Sequence, residues 1–458
     1  MEPIKSLERI ALFRRRETAA SRIRLPSAPG NELIVPAQWI CLFLMLVAIS
    51  GCAGVRSTPD DSALEFPAAV KRMTALLLYQ IQADQFLGLV AIRDRVSAIA
   101  SRQAVLDGGA FVIDPFIDGD SGNVTMASNT ITDIVSESMN NSGRQYRVLP
   151  FTYRNLQASR YVVTGAVRYE ASPIYGAKLY HLYGSIIDVL TGQVLANAST
   201  WVSNSGVDDR PIKFYKSSPM YLMDASVSYQ LATALAPEGA RAQAYVDTLA
   251  AKAVTSEGAA ALDRGDYRGA VKSFDISLHL PNGRTMKNYA GLYQAYFNLG
   301  DEAAAERAFY ELFALGVASD NVKIKFMFNV DTSEFITNQD SRIHYVIWLR
   351  QIAKYVADSQ VCIRISGHTS HSGSREYSYR LSFRRARRVE DALLLDSPKI
   401  AARLSTIGWG FDKNIIGSGT DDDRDMIDRR VELRPVSCGV TFLSPVSPRS
   451  LAVAANLD

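Results

Sequence analysis

SGHTSHSGSREYSYRLSFRRARRVEDALL, residues 366–394, decides the fold of the C-terminal part of this chain. It sets out a GHT loop, a glycine turn and the pattern LSxxRA in that order. Upstream, VKIKFMFNVDTSEF at 322–335 reads as a strand and turn, and residues 343–356 carry apolar side chains at helical spacing. Cys362, Ile363 and Ile365 mark a buried strand, and DRRVELRP at 428–435 closes the unit. Strand and helix patterns thus alternate over residues 320–438.

These motifs, in this order and spacing, resemble the C-terminal domain of the OmpA family, a βαβ sandwich that holds peptidoglycan noncovalently. In that family an aspartate after GHT and an arginine in LSxxRA grip the two charged ends of diaminopimelate in the stem peptide. The resemblance maps the arginine to Arg385, whose planar fork suits a carboxylate. The aspartate maps to Ser370. Ser378 and Asp428 stand where the family has asparagines, and His368, Thr369 and Arg429 belong to the motifs around the same site. Replacing a carboxylate by a hydroxyl opposite an ammonium costs about 1–3 kcal/mol, the scale of a charge-assisted hydrogen bond. Peptidoglycan binding is the expectation; a fold kept for protein contact alone is the other reading.

Residues 238–317 hold a helical unit twice, LDRGDYRGAVKSF at 262–274 and FNLGDEAAAERAF at 297–309. Gly265 and Gly300 lie 35 residues apart, close to the tetratricopeptide period, and each glycine-acid pair ends one helix and opens the next. Two copies fall short of the three that usually expose a peptide groove, so a TPR-like spacer is expected.

Residues 63–236 begin with helical spacing, Val70, Met73, Leu77 and Ile81, then Leu89, Ile92, Val96 and Ile99. Strand patterns follow at 110–116, 146–150 and 161–167, with a helix near 131–139. A hairpin at 180–194 turns through DVLTG. The motifs VIDPF, YRVLPF, SRYVVTGAV and IIDVLTGQVLANAS resemble the periplasmic α+β domain of the CsgG, FlgO and LpoB group of outer-membrane lipoproteins. Members of that group differ in function, so this resemblance does not choose one. The many tyrosines here fit either half-buried strand positions or a protein-binding face.

Trp39 to Ile49 form one apolar run of eleven residues after an Arg-rich stretch. Such a helix rises about 16 Å, half a bilayer core, so it reads as the apolar segment of a signal peptide over residues 1–51. Ile49-Ser50-Gly51-Cys52 resembles the bacterial lipobox, which implies a mature lipoprotein acylated on Cys52. Ala53 stands where an inner-membrane retention signal would place aspartate, which implies the outer membrane, periplasmic side. Residues 52–62 read as a tether and 439–458 as a disordered tail. Cys362 and Cys438 would meet an oxidising periplasm, either as a disulfide or with Cys362 as a small buried apolar residue.

Of 50 Lys plus Arg and 47 Asp plus Glu, seven and four fall in residues 1–51, leaving 43 against 43. That balance gives no basis for nucleic-acid binding. His368 and His371 lack the helical spacing of zinc sites, and the run Asp421, Asp422, Asp423, Asp425 and Asp428 lacks the glycine and glutamate of a calcium loop, so no metal is expected. Without a nucleophile elbow, phosphate loop or placed carboxylate pair, the chain reads as a non-enzyme without cofactor. The expectation is a multidomain α+β lipoprotein that tethers the outer membrane to peptidoglycan or adapts an unidentified envelope protein. A secretion or surface-fibre assembly component and a regulator of a peptidoglycan synthase are the rival readings.

Overall fold

The computed structural model describes residues 63–83, 109–142, 146–174, 176–203, 205–326, 328–329, 332–335, 339–371, 373–414 and 428–439. The signal segment, Cys52, the tether, the helix expected near Leu89 to Ile99, the acid run at 421–425 and the tail from 440 lie outside them.

Helix α1 (Phe66–Ala83) buries Phe66, Val70, Met73, Leu77 and Ile81 along one stripe. Each such side chain contributes about 1.5–3 kcal/mol when fully buried. The stripe packs on a sheet built from β1 (Ala110–Ile113), β2 (Ile117–Asp118), β3 (Arg147–Leu149), β4 (Tyr161–Ala171), β5 (Lys178–Asp188) and β6 (Gln193–Val202), together with α2 (Met126–Asn140). The order is β3-β1-β4-β5-β6, with β1 parallel to both neighbours and β4, β5 and β6 antiparallel. The single strand expected over 110–116 divides, because Pro115 has no N–H to continue the ladder. The hairpin strands are longer than the 180–194 pattern shows, and Gly192 takes the left-handed conformation of their turn, φ 67°. Tyr146, Tyr161 and Tyr180 are buried, Tyr169 and Tyr183 half-buried, and Tyr153 exposed.

On the other side of β4 and β5 lies α3 (Ala225–Leu235), followed by α4 (Leu249–Asp263), α5 (Tyr267–Leu278), α6 (Met286–Leu299) and α7 (Glu302–Ala318). Gly265 and Gly300 turn left-handed at φ 78° and 75°, then Asp266 and Asp301 cap the next helix by accepting from the N–H of Gly269 (2.9 Å) and Ala304 (3.0 Å). Each cap contributes about 1 kcal/mol. Phe274 fills the space that Gly258 and Gly291 leave open. These helices do not stand apart as a spacer. One buried cluster runs from Ile117, Ala166 and Phe214 through Phe274, Tyr293 and Phe313 to Ile365 and Leu433. Polar ties follow the same path: Tyr293 Oη meets His344 Nδ1 at 2.5 Å and accepts from Trp348 Nε1 at 2.8 Å.

The second sheet comprises β7 (Lys323–Ile324), β8 (Cys362–Gly367), β9 (Leu404–Gly408) and β10 (Val431–Val436), with α8 (Gln339–Ser359) and α9 (Arg375–Asp396) packed on it. Its order is β7-β10-β8-β9; β8 and β9 are parallel and joined through α9, and β10 is antiparallel to β7 and β8. Ile363, Ile365, Val431 and Leu433 share a buried cluster with the helices, while the alternate positions Arg364, Glu432 and Arg434 are polar. The segment before the repeat helices reaches this sheet too, since Tyr221 N–H donates to the Lys323 carbonyl (3.1 Å) and Lys325 N–H to that of Pro219 (2.9 Å). Cys362 and Cys438 are bonded as a disulfide, their Cα atoms 5.2 Å apart, at the far end of the β8–β10 ladder.

Candidate functional site

Helix α9 begins where the Ser374 hydroxyl accepts from Tyr377 N–H at 3.2 Å. From there, helical spacing sets Ser378, Ser382 and Arg385 on one buried face. That face lies against the ends of β8 and β9, where Gly367 and Gly408 leave no room for a Cβ beside the backbone of Ser382 and Phe383. Ser382 Oγ donates to the Tyr379 carbonyl and accepts from Gly410 N–H, each at 2.9 Å. Thr369 N–H donates to the Gly410 carbonyl (2.9 Å). The Asn414 amide donates to the carbonyls of Thr369 (2.9 Å) and Phe411 (3.1 Å) and accepts from His371 N–H (3.2 Å). Gly410, which lies against Ser378 and Tyr379, thereby ties the segment carrying Thr369 to the first turns of α9.

Arg385 is only 6% exposed. Its Nε donates to the Thr332 carbonyl at 3.1 Å, and its guanidinium carbon stands 5.2 Å from the centre of the Phe328 ring. Phe328 and Phe335 form an antiparallel bridge, and Asn329 N–H donates to the Glu334 carbonyl at 2.9 Å. Sequence reading missed Phe328 and Thr332. A backbone carbonyl has no side-chain signature, and the aromatic residues of 322–335 read equally as strand core.

The structure gives His368 a different place from the ligand contact expected of it. Its ring is 2% exposed, with Nε2 3.8 Å from Glu432 Oε2 and neither nitrogen hydrogen-bonded. Burial, reinforced by nearby Arg430, pushes the imidazole down to about 3, so it is neutral. Burial works to raise Glu432, but Arg430, donating from Nε at 2.7 Å, overrides it and holds the carboxyl at about 2. His368 thus belongs to an enclosed charged cluster. Thr369 is likewise buried, with no hydrogen-bond partner for its hydroxyl, and Arg429 is half-buried. Among the described residues no group of three or more His, Cys, Asp or Glu is placed to hold a metal ion, and no helix is long and apolar enough to cross a membrane.

The sheet has parallel strands β8 and β9 joined through a crossover helix that buries an arginine. Residues 327–427 match the model of the OmpA family. The chain therefore carries a C-terminal OmpA-family domain. Outer membrane protein Omp38 of Acinetobacter baumannii is 43% identical over 68 residues, which are 15% of this chain and 19% of that protein. The chain thus spans about a fifth of the length of the curated relatives it matches. Among solved structures, the peptidoglycan-associated lipoprotein from Burkholderia pseudomallei is 26% identical at a TM-score of 0.21, covering 24% of this chain and 88% of that one. The periplasmic domain of Helicobacter pylori MotB is 22% identical at a TM-score of 0.20, covering 28% and 77%.

Proposed function

We propose that this chain is an envelope tether that holds peptidoglycan noncovalently, Arg385 receiving the free carboxylate of diaminopimelate in the stem peptide. The observation that carries this reading is the burial of Arg385 on the α9 face shared with Ser378 and Ser382, within an OmpA-family domain. A guanidinium is a planar, permanently charged fork whose geometry matches a carboxylate, and low water access strengthens such a pairing. The chain acts by binding and not by catalysis. Acylation at Cys52 anchors it in the outer membrane, and the anchor raises the local concentration of a weak wall-binding site. The N-terminal sheet contacts a further envelope protein.

The test is sedimentation of full-length protein with purified sacculi. Arg385→Ala should reduce pelleting at least tenfold, since a hydrogen bond to a charged group contributes about 1.5–3 kcal/mol. Equal pelleting of parent and variant would sink the stem-peptide reading and leave the domain as a protein-contact scaffold.

A further inference from the structure

Helix α9 carries Arg375, Arg380, Arg384, Arg387 and Arg388 outside its buried face. Three of these are matched by carboxylates: Arg375 by Asp412 (2.7 Å), Arg380 by Glu376 (3.0 Å), and Arg387 by Glu390 (2.8 Å) and Asp391 (3.2 Å). Arg384 and Arg388 are exposed, and among the described residues no carboxylate lies within ion-pair distance of either. Asp391 stands three positions beyond Arg388 but pairs with Arg387. Four positions apart, Arg384 and Arg388 are neighbours on one helix face and repel each other. On a helix whose other surface arginines are paired, such an uncompensated like-charge pair breaks a local rule, as binding surfaces do.

Arg388 is also seated. Its guanidinium carbon stands 5.6 Å from the centre of the Phe335 ring, as that of Arg385 stands 5.2 Å from Phe328, and the two ring centres are 5.1 Å apart. One pair of neighbouring rings therefore places two cations side by side, the first buried and the second open to solvent. Residues three positions apart on a helix have Cβ atoms about 5–6 Å from each other.

We propose that Arg388, with Arg384 behind it, forms a second anion subsite beside Arg385 that takes the next carboxylate along a wall peptide. This rests on the stem-peptide reading above and extends it, since the face then recognises a dianionic peptide and not a lone diaminopimelate. A γ-linked glutamate joined to the diaminopimelate has this chemistry, because the γ-linkage leaves its α-carboxylate free. One extended α-linked residue spans about 3.3–3.6 Å, and a γ-linkage lengthens it by two bonds, which brings the two ligand carboxylates to the spacing of Arg385 and Arg388.

Full-length protein is titrated with L-alanyl-γ-D-glutamyl-meso-diaminopimelate and with its isoglutaminyl analogue, in which that α-carboxylate is an amide. The parent should bind the first at least about threefold more tightly, the scale of an exposed charge pair. Arg384→Gln combined with Arg388→Gln should bring the two affinities within about 1.5-fold, with binding of the amide peptide unchanged because that peptide never used the ridge. Arg385→Ala should weaken both peptides alike. An undiminished preference in the double variant overturns the inference, while the loss of both peptides in Arg385→Ala keeps the reading. Equal affinity of the parent for the two peptides also overturns it, with no variant needed, and leaves the ridge to an acidic protein partner. If neither peptide binds the parent, or Arg385→Ala binds both as the parent does, the stem-peptide reading falls and the inference with it.

Discussion

Lys252 Nζ lies 2.6 Å from Asp114 Oδ2, joining the first repeat helix α4 to the residue that follows strand β1. Tyr245 Oη donates to the same carboxylate oxygen at 2.8 Å, and Lys252 also donates to Gln230 Oε1 at 2.5 Å. Gln230 passes the connection on to the Thr164 hydroxyl (2.9 Å) and the Pro115 carbonyl (2.8 Å). The N-terminal sheet and the repeat helices are therefore locked together by a desolvated ion pair, with little freedom to hinge at that seam.

Lys252→Met should destabilise the protein by about 3–5 kcal/mol, since it leaves the Asp114 charge buried without its cation. Lys252→Met combined with Asp114→Asn should recover a large part of that loss, because no charge then stays buried. Chemical denaturation followed by circular dichroism reads both. A double variant no more stable than Lys252→Met would show that the pair is a surface-like contact and not a lock.

A second seam responds to pH. Lys325, half-buried beside β7, donates from Nζ to the Tyr215 carbonyl and stands 4.9 Å from the centre of the Tyr221 ring. Burial pushes its ammonium down to about 7. The unfolded chain keeps a proton there up to about pH 10.4, so between these values it binds more protons than the folded chain. Stability from this group therefore rises with pH above 7, by at most about 1.4 kcal/mol per pH unit. Measured from pH 7 to 9, the parent should gain stability relative to Lys325→Met. Parallel pH curves would mean that Lys325 is solvated.

The cysteines divide by compartment chemistry. Neither Cys362 nor Cys438 should react with maleimide in denatured, unreduced protein, and both should after reduction. Opening the loop between them, a separation of 76 residues, should cost about 4 kcal/mol on the chain-entropy model. Cys52→Ser should abolish palmitate labelling and release the chain from the membrane fraction. Two reactive thiols before reduction, or persistent lipid label in Cys52→Ser, would overturn the respective assignment.

What could be read from the sequence was local. The alternation of Ile363 and Ile365 gave the β8 face, and the stripe Val70, Met73, Leu77 and Ile81 gave the buried side of α1, because both follow from backbone period alone. The Gly265-Asp266 and Gly300-Asp301 turns were legible because a left-handed residue followed by a cap has few spellings. Asp114 and Lys252 are 138 positions apart, and no period relates them. His368 sits in a motif that marks the site, yet its own ring is spent inside the charged cluster of Glu432 and Arg430. A motif shows where the chain gathers and not which of its side chains faces a ligand.

Arg385→Lys separates the geometry of the arginine from its charge. Lysine keeps the positive charge but replaces a planar fork by a single ammonium, so it cannot take a carboxylate bidentately while also donating in plane to the Thr332 carbonyl. Its stem is also a poorer partner for the Phe328 ring than a guanidinium that stacks across it. Sacculus binding by Arg385→Lys should fall between parent and Arg385→Ala, about three- to tenfold below parent, the smaller share of a charge-assisted pair that plain Coulomb attraction retains. Added salt should weaken Arg385→Lys more than parent, since an ammonium reaching for a carboxylate through water is screened where a buried fork is not. Binding by Arg385→Lys equal to parent at all salt concentrations would show that residue 385 serves only as a positive charge, and the planar recognition on which the site was built would be wrong.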